Sequence, residues 1–277
     1  MKDLRNTAPN LQIMNCDNES FSQYEGEDRV VTSFELNDKL QGDKRDPHVN
    51  VKSGIPGIDY ACEGFRDGEL IIISGPTKMG KTLLAQTFTA NFTKQKEYAC
   101  WFSYEVPARQ FLEQFPILPL FYLPSKNTAQ DFDWFMNKCM EAFFKYHARI
   151  FFVDHLHFLV DMARVSNPSL EIGAIVRRIK RFAVENDFII FLLAHIKKNE
   201  GEDLSYRDLR DSSFIAQDSD TVIMIKRTPK EGMNIAKARV EFHRRTGVME
   251  WVVTLEKMHG YLREVIQPED EDDRQRN

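Results

Sequence analysis

The sequence has little of what marks membrane proteins and secreted proteins. No apolar run approaches the ~20 residues that a transmembrane helix needs. Residues Met1–Asn6 open the chain without the apolar stretch of a secretory signal. The four cysteines are scattered without paired spacing, which favours a reducing compartment over a disulfide framework. We therefore expect a soluble cytoplasmic protein that has no membrane partner.

Positive charge is not in excess either. The chain has 37 Lys and Arg against 42 Asp and Glu, which gives a net charge of −5. This balance argues against a protein coated in positive charge. A ring or filament can nevertheless line one channel with a few basic residues while its outside stays acidic. Composition therefore leaves nucleic acid open as a partner.

Short apolar runs alternate with helical patterns, for example the pattern over Leu170–Glu185. Runs that are apolar throughout predict strands covered on both faces, as in a parallel sheet. These runs are Glu69–Ser74, Tyr98–Ser103, Arg149–Val153, Phe188–Ala194 and Thr221–Ile225. After Thr221, strands follow without helices at Ala238–His243, Trp251–Leu255 and Tyr261–Val265. The sequence predicts an α/β fold with a mainly parallel central sheet flanked by helices and a C-terminal antiparallel extension.

Polar segments flank this predicted domain, which covers residues 51–267. Residues 1–50 are predicted to be an arm that orders against a neighbour, with Thr32 or Ser33 capping a short helix. Residues 268–277 form an acidic tail that is predicted to be disordered. The basic face of Leu170–Glu185, which includes Lys180, is expected to be solvated, and a subunit contact is the alternative.

A phosphate-binding motif follows the first apolar run. Gly75–Thr82 fits G-x-x-x-x-G-K-[ST] at every fixed position and opens the predicted helix Thr82–Asn91, whose N-terminus supplies free N–H groups. The glycines let the backbone wrap a β-phosphate, Lys81 would neutralise the β- and γ-phosphates, and Thr82 would offer its hydroxyl to Mg²⁺. The predicted ATP-binding residues are Gly75, Pro76, Thr77, Lys78, Met79, Gly80, Lys81 and Thr82.

Polar residues follow three other predicted strands. Asp154 ends Arg149–Val153, where it can reach Mg²⁺ held at a neighbouring strand's P-loop, and a helix cap is the alternative. Glu105 is the candidate to orient or deprotonate water, if Tyr98–Ser103 pairs beside the P-loop strand. His195 could hydrogen-bond the γ-phosphate. We interpret His155 and His157 as ordinary residues beyond a strand, because no Cys or third His lies near them in sequence.

From Val51 to about Gln267, the chain resembles the ATPase domain of the DnaB-type hexameric replicative helicases, including phage primase-helicases and the mitochondrial Twinkle type. The matching blocks stand in the family's order: Ser53–Asp59 with Asp67–Leu70, Gly75–Thr82, Phe102–Glu105, Val153–Leu156, Leu193–Lys198 and Asp208–Asp220. The resemblance implies a RecA-like P-loop fold with Glu105 as catalytic glutamate, Asp154 in the magnesium site and His195 as γ-phosphate sensor. Residues 1–50 stand where the family usually carries a helical or primase domain.

The resemblance also implies a ring, expected to be a hexamer, whose ATP sites are completed by an arginine of the neighbouring subunit. Arg244 matches that arginine best by its distance from Thr246–Gly247. Phe242 stands where the family has a lysine, so that Arg245, Lys237 and Arg239 are alternatives.

The DNA contacts are the last expectation. Candidates are Arg164, Lys197, Lys198, Arg207 and Arg210, which would hold the phosphates of single-stranded DNA without reading bases, and ordinary polar loops are the alternative. One functional hypothesis is a motor that translocates on single-stranded DNA and unwinds duplex during replication, with primase or other replication proteins as further partners. The other is a RecA- or KaiC-like ATPase that serves recombination or regulation without unwinding.

Overall fold

The apolar runs of the sequence form the central strands of one sheet. The computed structural model describes residues 29–42, 49–126, 131–159, 168–195, 213–227, 232 and 234–265. The strands are β1 (Asn50–Val51), β2 (Phe65–Arg66), β3 (Leu70–Gly75), β4 (Ala99–Ser103), β5 (Ile150–Asp154), β6 (Ile189–His195), β7 (Thr221–Arg227), β8 (Ile235–His243), β9 (Met249–Met258) and β10 (Tyr261–Glu264). The helices are α1 (Ser33–Gly42), α2 (Pro56–Cys62), α3 (Lys81–Lys94), α4 (Ala108–Glu113), α5 (Phe132–Tyr146), α6 (Pro168–Glu185) and α7 (Ser213–Asp218).

The chain divides into two units, Met1–Pro47 and His48–Asn277. In the first unit, α1 begins directly after Thr32, whose hydroxyl accepts a hydrogen bond from the Glu35 amide at 3.1 Å. Of the two residues predicted to cap this helix, Thr32 is therefore the one that does so. None of the helices in the described ranges is both long enough and apolar enough to cross a lipid bilayer.

The main sheet of the second unit has eight strands in the order β10-β9-β8-β7-β3-β6-β5-β4. Strands β7, β3, β6, β5 and β4 run parallel, and β8, β9 and β10 extend the sheet in antiparallel fashion. This arrangement confirms the predicted fold class. Alternate residues of β3 enter separate cores, with Ile71 and Ile73 on one face and Leu70 and Ile72 on the other. Both faces are covered, which explains why the run is apolar throughout.

The order of the strands corrects one expectation. β4 does not pair beside the P-loop strand β3, because β6 and β5 lie between them and β4 stands at the edge. An aromatic row across three strands accounts for this order. The ring of Phe152 on β5 stacks on Trp101 of β4 and on Phe191 of β6, with centroids 4.6 Å apart in both contacts. These residues are also register partners in the ladder, so that the aromatic contacts and the backbone pairing favour the same order.

Candidate active site

The predicted phosphate loop connects β3 to α3 at the carboxyl edge of the parallel strands. At both fixed glycines of the motif, the backbone has a positive φ angle, which favours glycine. Gly75 has φ 149°, and a Cβ on it would collide with the carbonyl oxygen of Ile225 on β7. Gly80 has φ 107° and is the N-cap of α3, so that the helix begins at Lys81. The loop therefore turns sharply beside β7 and leads directly into a helix N-terminus, the geometry that suits a bound phosphate.

Lys81 is the first residue of α3 and is almost fully buried, with 4% of its surface exposed. Its Nζ donates hydrogen bonds to the carbonyl oxygens of Gly75 at 2.9 Å and Pro76 at 3.0 Å. Burial lowers the pKa of Lys81 to about 8, and the nearby carboxylates of Asp154 and Glu105 act in the opposite direction. At neutral pH the amine is still mostly protonated, and the loop therefore carries a positive charge.

Thr82 and Asp154 bring two oxygen ligands together next to this lysine. The Thr82 hydroxyl donates to Asp154 Oδ2 at 3.0 Å, and Asp154 ends β5 with 1% of its surface exposed. The expectation that Asp154 lies on a strand neighbouring the P-loop strand is wrong, because β6 separates β5 from β3. The contact forms because Thr82 lies in the first turn of α3. A hydroxyl and a carboxylate are hard oxygen ligands, and this pair fits Mg²⁺.

Glu105, His155 and His195 meet at the same edge. Glu105 Oε2 lies 3.1 Å from His155 Nε2, and His195 Nε2 lies 2.7 Å from the same nitrogen. The other ring nitrogen of His155, Nδ1, lies 2.7 Å from Asp154 Oδ1. Burial acts to lower the pKa of His155, but the carboxylates of Asp154 and Glu105 outweigh it and the pKa is raised.

The interpretation of His155 as an ordinary residue is therefore wrong. It is buried, and it connects Asp154, Glu105 and His195. Its position directly after Asp154, at the end of a predicted parallel strand, was the sequence signal that could have identified it. The side chain of His157 lies outside the described residues.

A cavity of about 620 Å³ opens in front of the loop. Glu105, His155 and His195 line it together with Lys81 and Thr82. Two basic residues that the sequence analysis did not select, Arg227 and Lys257, line it as well. Arg227 ends β7, which pairs with β3, and Lys257 lies near the end of β9. The order of the strands in the sheet places these two residues at the cavity, and no local sequence motif indicates that order.

Arg244 lies at the opposite edge of the sheet from the loop. It directly follows His243, which pairs with Thr221, the first residue of β7. Its guanidinium donates to the carbonyl of Gln217 at 2.9 Å, and 56% of the side chain is exposed. Arg244 therefore cannot reach the loop of its own subunit, and it is presented to solvent.

The alternatives to Arg244 are placed differently. The Arg245 guanidinium donates to the carbonyls of Cys62 and Gly64 and pairs with Glu63 and Glu69, so that it is held within its own subunit. The other two lie on β8, where Arg239 pairs with Glu241 at 2.5 Å and Lys237 stands opposite Lys226 in the ladder. All five predicted DNA contacts, Arg164, Lys197, Lys198, Arg207 and Arg210, lie outside the described residues.

Comparison with known proteins gives matches along most of this domain. The DnaB-like helicase C-terminal domain family matches residues 50–117 and 123–259. The circadian clock oscillator protein KaiC of Parasynechococcus marenigrum (strain WH8102) is 25% identical over 231 residues, which cover 76% of this chain and 43% of that protein. The replicative DNA helicase DnaB of Treponema pallidum (strain Nichols) is 26% identical over 235 residues, which cover 73% of this chain and 52% of that protein. The chain thus spans about half the length of these relatives.

Solved structures share the fold. A DnaB-like replicative helicase, described with its interactions with primase, superimposes with a TM-score of 0.72 at 18% identity, over 84% of this chain and 67% of that one. A separately solved ATPase domain gives the same TM-score and identity over 84% of this chain and 97% of that one. The family match agrees with the prediction of an ATP-hydrolysing enzyme. Because the family match covers well over half of the chain, the protein belongs to the DnaB-like helicase C-terminal domain family.

Proposed function

We propose that this protein hydrolyses ATP at the carboxyl edge of its sheet and uses the energy to move along single-stranded DNA. The observation that carries the proposal is the meeting of four groups at one cavity. Lys81 and Thr82 begin α3, Asp154 ends β5 and Glu105 follows β4. Lys81, Thr82 and Glu105 line the cavity, and Asp154 contacts Thr82 where a nucleotide on the loop would place its phosphates.

Each group has a proposed role in phosphoryl transfer. The loop amides and Lys81 hold the β- and γ-phosphates, and Lys81 neutralises their charge. Thr82 and Asp154 would hold Mg²⁺, which would neutralise charge on the phosphates. His195 lies level with Gly75 in the β3–β6 ladder, and this position supports hydrogen bonding to the γ-phosphate.

Glu105 is the proposed general base. Its side chain is 46% exposed and lines the cavity, so that water can reach it. It accepts a proton from the attacking water, whose oxygen forms the new bond to the γ-phosphorus as the bond to ADP breaks. His155 is a positioning residue, since it contacts both Glu105 and Asp154.

Arg244 is proposed to act on the ATP site of a neighbouring subunit in a ring. Its exposure at the edge opposite its own loop supports this role, and the internal contacts of Arg245 argue against that alternative. Arg164, Lys197, Lys198, Arg207 and Arg210 remain the proposed contacts to the phosphates of single-stranded DNA. The ring state, primase as a partner and action in replication are further parts of the proposal, which the family membership supports.

A strand-release assay tests the motor. The protein is incubated with ATP and either a forked duplex or a single strand plus homologous duplex, and Lys81→Ala serves as the control that lacks the amine proposed to contact the phosphates. We expect ATP-dependent strand release from the fork and no joint molecules. Joint molecules without strand release would contradict the motor and favour a RecA-type activity.

The second candidate is an ATPase that assembles without unwinding DNA. The similarity to KaiC over 76% of this chain supports it. This candidate predicts ATP turnover that is the same with and without single-stranded DNA, and no strand release from any fork. A translocating motor is expected to hydrolyse ATP faster when the strand is added.

Subunit mixing tests the role of Arg244. Arg244→Ala subunits retain a complete loop, and Lys81→Ala subunits retain the arginine. In a mixed assembly, some interfaces place the intact loop of an Arg244→Ala subunit against the intact arginine of a Lys81→Ala subunit. ATP turnover should return in part at these interfaces, because an arginine supplied in trans is worth roughly 10³–10⁵ in rate. No recovery at any mixing ratio, with co-assembly verified by size, would contradict the role.

A further inference from the structure

Glu105, His155 and His195 form a compact set of metal-ligand atoms. Each offers one such atom, and the three atoms lie within 4.8 Å of one another. The Nε2 atom of His155 is common to the two short contacts, 3.1 Å to Glu105 Oε2 and 2.7 Å to His195 Nε2. A tetrahedral Zn²⁺ holds its nitrogen and oxygen ligands roughly 3.4 Å apart, given metal–ligand bonds near 2.1 Å. The two contacts of His155 Nε2 need to lengthen slightly to reach this spacing, and the third pair, Glu105 and His195, already lies within 4.8 Å.

The surroundings of the set match those of a transition-metal site. Asp154 Oδ1 lies 2.7 Å from His155 Nδ1, which leaves His155 Nε2 directed at the other two ligands. A carboxylate this close to the ring raises the basicity of a metal-binding imidazole. Glu105 and His195 line the cavity, so that an ion can enter and a water molecule can complete its coordination.

The number of protons available for hydrogen bonding also favours a cation between these atoms. The Nε2 atom of His155 carries one proton at most, and the Glu105 carboxylate and the second imidazole both lie within reach of it. At most one of these two contacts can therefore be a hydrogen bond that His155 donates. A divalent ion between the three atoms would accept a lone pair from each of them.

We propose that Glu105, His155 and His195 bind Zn²⁺ or a similar borderline divalent ion such as Co²⁺. Two imidazoles and one carboxylate select such ions over Mg²⁺, which prefers oxygen ligands and keeps its water. The site is separate from the Thr82–Asp154 pair proposed for Mg²⁺, although Asp154 contacts both. Bound Zn²⁺ withdraws the Glu105 carboxylate from water and so stops hydrolysis, a consequence that rests on the proposed role of Glu105.

Co²⁺ binding followed by visible absorption tests the site without any need for ATP turnover. The full chain is titrated with Co²⁺ in excess Mg²⁺ and without nucleotide, and Zn²⁺ is then added as competitor. We expect one absorbing Co²⁺ per chain, displaced by one equivalent of Zn²⁺. His195→Gln and Glu105→Gln should each weaken Co²⁺ binding at least tenfold, and His155→Gln should abolish the absorption.

His147→Asn is the matched control, because it removes an exposed imidazole at the end of α5, where φ is 55° and Asn is tolerated. It should bind Co²⁺ as the parent does, and circular dichroism verifies the fold of each variant. Absence of stoichiometric absorption in the parent, or equal absorption in folded His195→Gln, would overturn the site.

Zn²⁺ inhibition of ATP turnover forms a second arm. Turnover should fall to near zero at one Zn²⁺ per chain and recover with a chelator. If Co²⁺ binds as expected while Zn²⁺ leaves turnover unchanged, the metal site stands and the proposed role of Glu105 is wrong. If turnover is normal and Co²⁺ does not bind, the metal site alone is wrong.

Discussion

The two edges of the parallel sheet each hold the amine of one lysine, but the partners of the two amines differ. At the carboxyl edge, Lys81 donates to the carbonyls of Gly75 and Pro76. At the opposite edge, Lys180 donates to the Gly68 carbonyl at 2.7 Å and also to Asp220 Oδ2 at 2.6 Å. The expectation that Lys180 is solvated is therefore wrong, because its amine reaches over the edge of the sheet to Asp220. At the opposite edge, the positive charge of Lys180 thus pairs directly with the negative charge of Asp220. At the carboxyl edge, the charges of Lys81 and Glu105 lie around a cavity.

The comparison predicts that substitutions at the carboxyl edge change chemistry and that substitutions at the opposite edge change stability. The largest effect is expected for Glu105→Gln, which keeps the shape of the side chain and removes its basicity. ATP turnover should fall by roughly 10²–10⁴-fold, the usual contribution of a general base. Nucleotide affinity should stay within about threefold, a change of under 1 kcal/mol.

Steady-state turnover and equilibrium nucleotide binding would measure the two quantities for Glu105→Gln. Glu113→Gln is the control, since Glu113 lines the same cavity and pairs on the surface with Arg109. Turnover at the parent rate in Glu105→Gln would show that another group activates the water.

The next effect is expected for Arg245→Met at the opposite edge. The Arg245 guanidinium joins two backbone carbonyls to two glutamates, and 25% of the side chain is exposed. Its loss leaves the buried Glu69 without this partner, and the free energy of unfolding should fall by about 2–4 kcal/mol. Urea denaturation measures the change. Arg244→Met, one residue away and largely exposed, should change it by less than about 1 kcal/mol. Equal losses in both variants would contradict the assigned difference.

A smaller effect is expected from pH. Burial, together with the charge of Arg245, lowers the pKa of His243 from 6.5 to about 4. Below pH 6.5 the unfolded chain therefore takes up a proton that the folded chain refuses, so stability is complete above this pH and is lost as the pH falls towards 4. The unfolding free energy should drop by about 1–2 kcal/mol between pH 7 and pH 5. In His243→Gln, which keeps a hydrogen-bond partner for Thr221, the drop should be smaller by that amount. An unchanged pH slope would contradict the shift.

The smallest effect is expected for Arg181→Met on the surface of α6. Arg181 is 79% exposed and pairs with Glu185 one turn later. Such pairs contribute about 0.3–0.5 kcal/mol in water. Lys180→Met, on the same helix but in contact with buried Asp220, should destabilise by roughly 1–3 kcal/mol, because it removes the nearest cation from a buried carboxylate. Thermal unfolding of the two variants side by side would measure the contrast.

Much of the fold could be predicted because its signals are local. Continuous apolar runs, helical spacing and the loop motif each lie within one short segment, and together they give the strands and the beginning of α3. The order of the strands could not be obtained in this way. It depends on contacts such as the stacking of Trp101 on Phe152, between residues far apart in the chain.

The residues of the candidate site also divide into those with a local sequence signal and those that only contacts between distant segments bring to the site. Gly75–Thr82, Glu105, Asp154 and His195 follow strand ends and were identifiable from sequence. His155 was missed because two of its three contacts are with residues distant in sequence, Glu105 after β4 and His195 at the end of β6. Arg227 and Lys257 were missed because only strand order brings β7 and β9 to the cavity.

The position of β4 at the edge of the sheet has a mechanical consequence. Its ladder partners are β5 on one side and the single residue Tyr122 on the other, whereas β3 is clamped between β6 and β7. Glu105 thus follows a strand with few backbone partners on its outer side, whereas Gly75–Thr82 follows a strand that is paired along both sides. We expect a force applied at the β4 edge to change the rate of ATP hydrolysis more than it changes nucleotide binding.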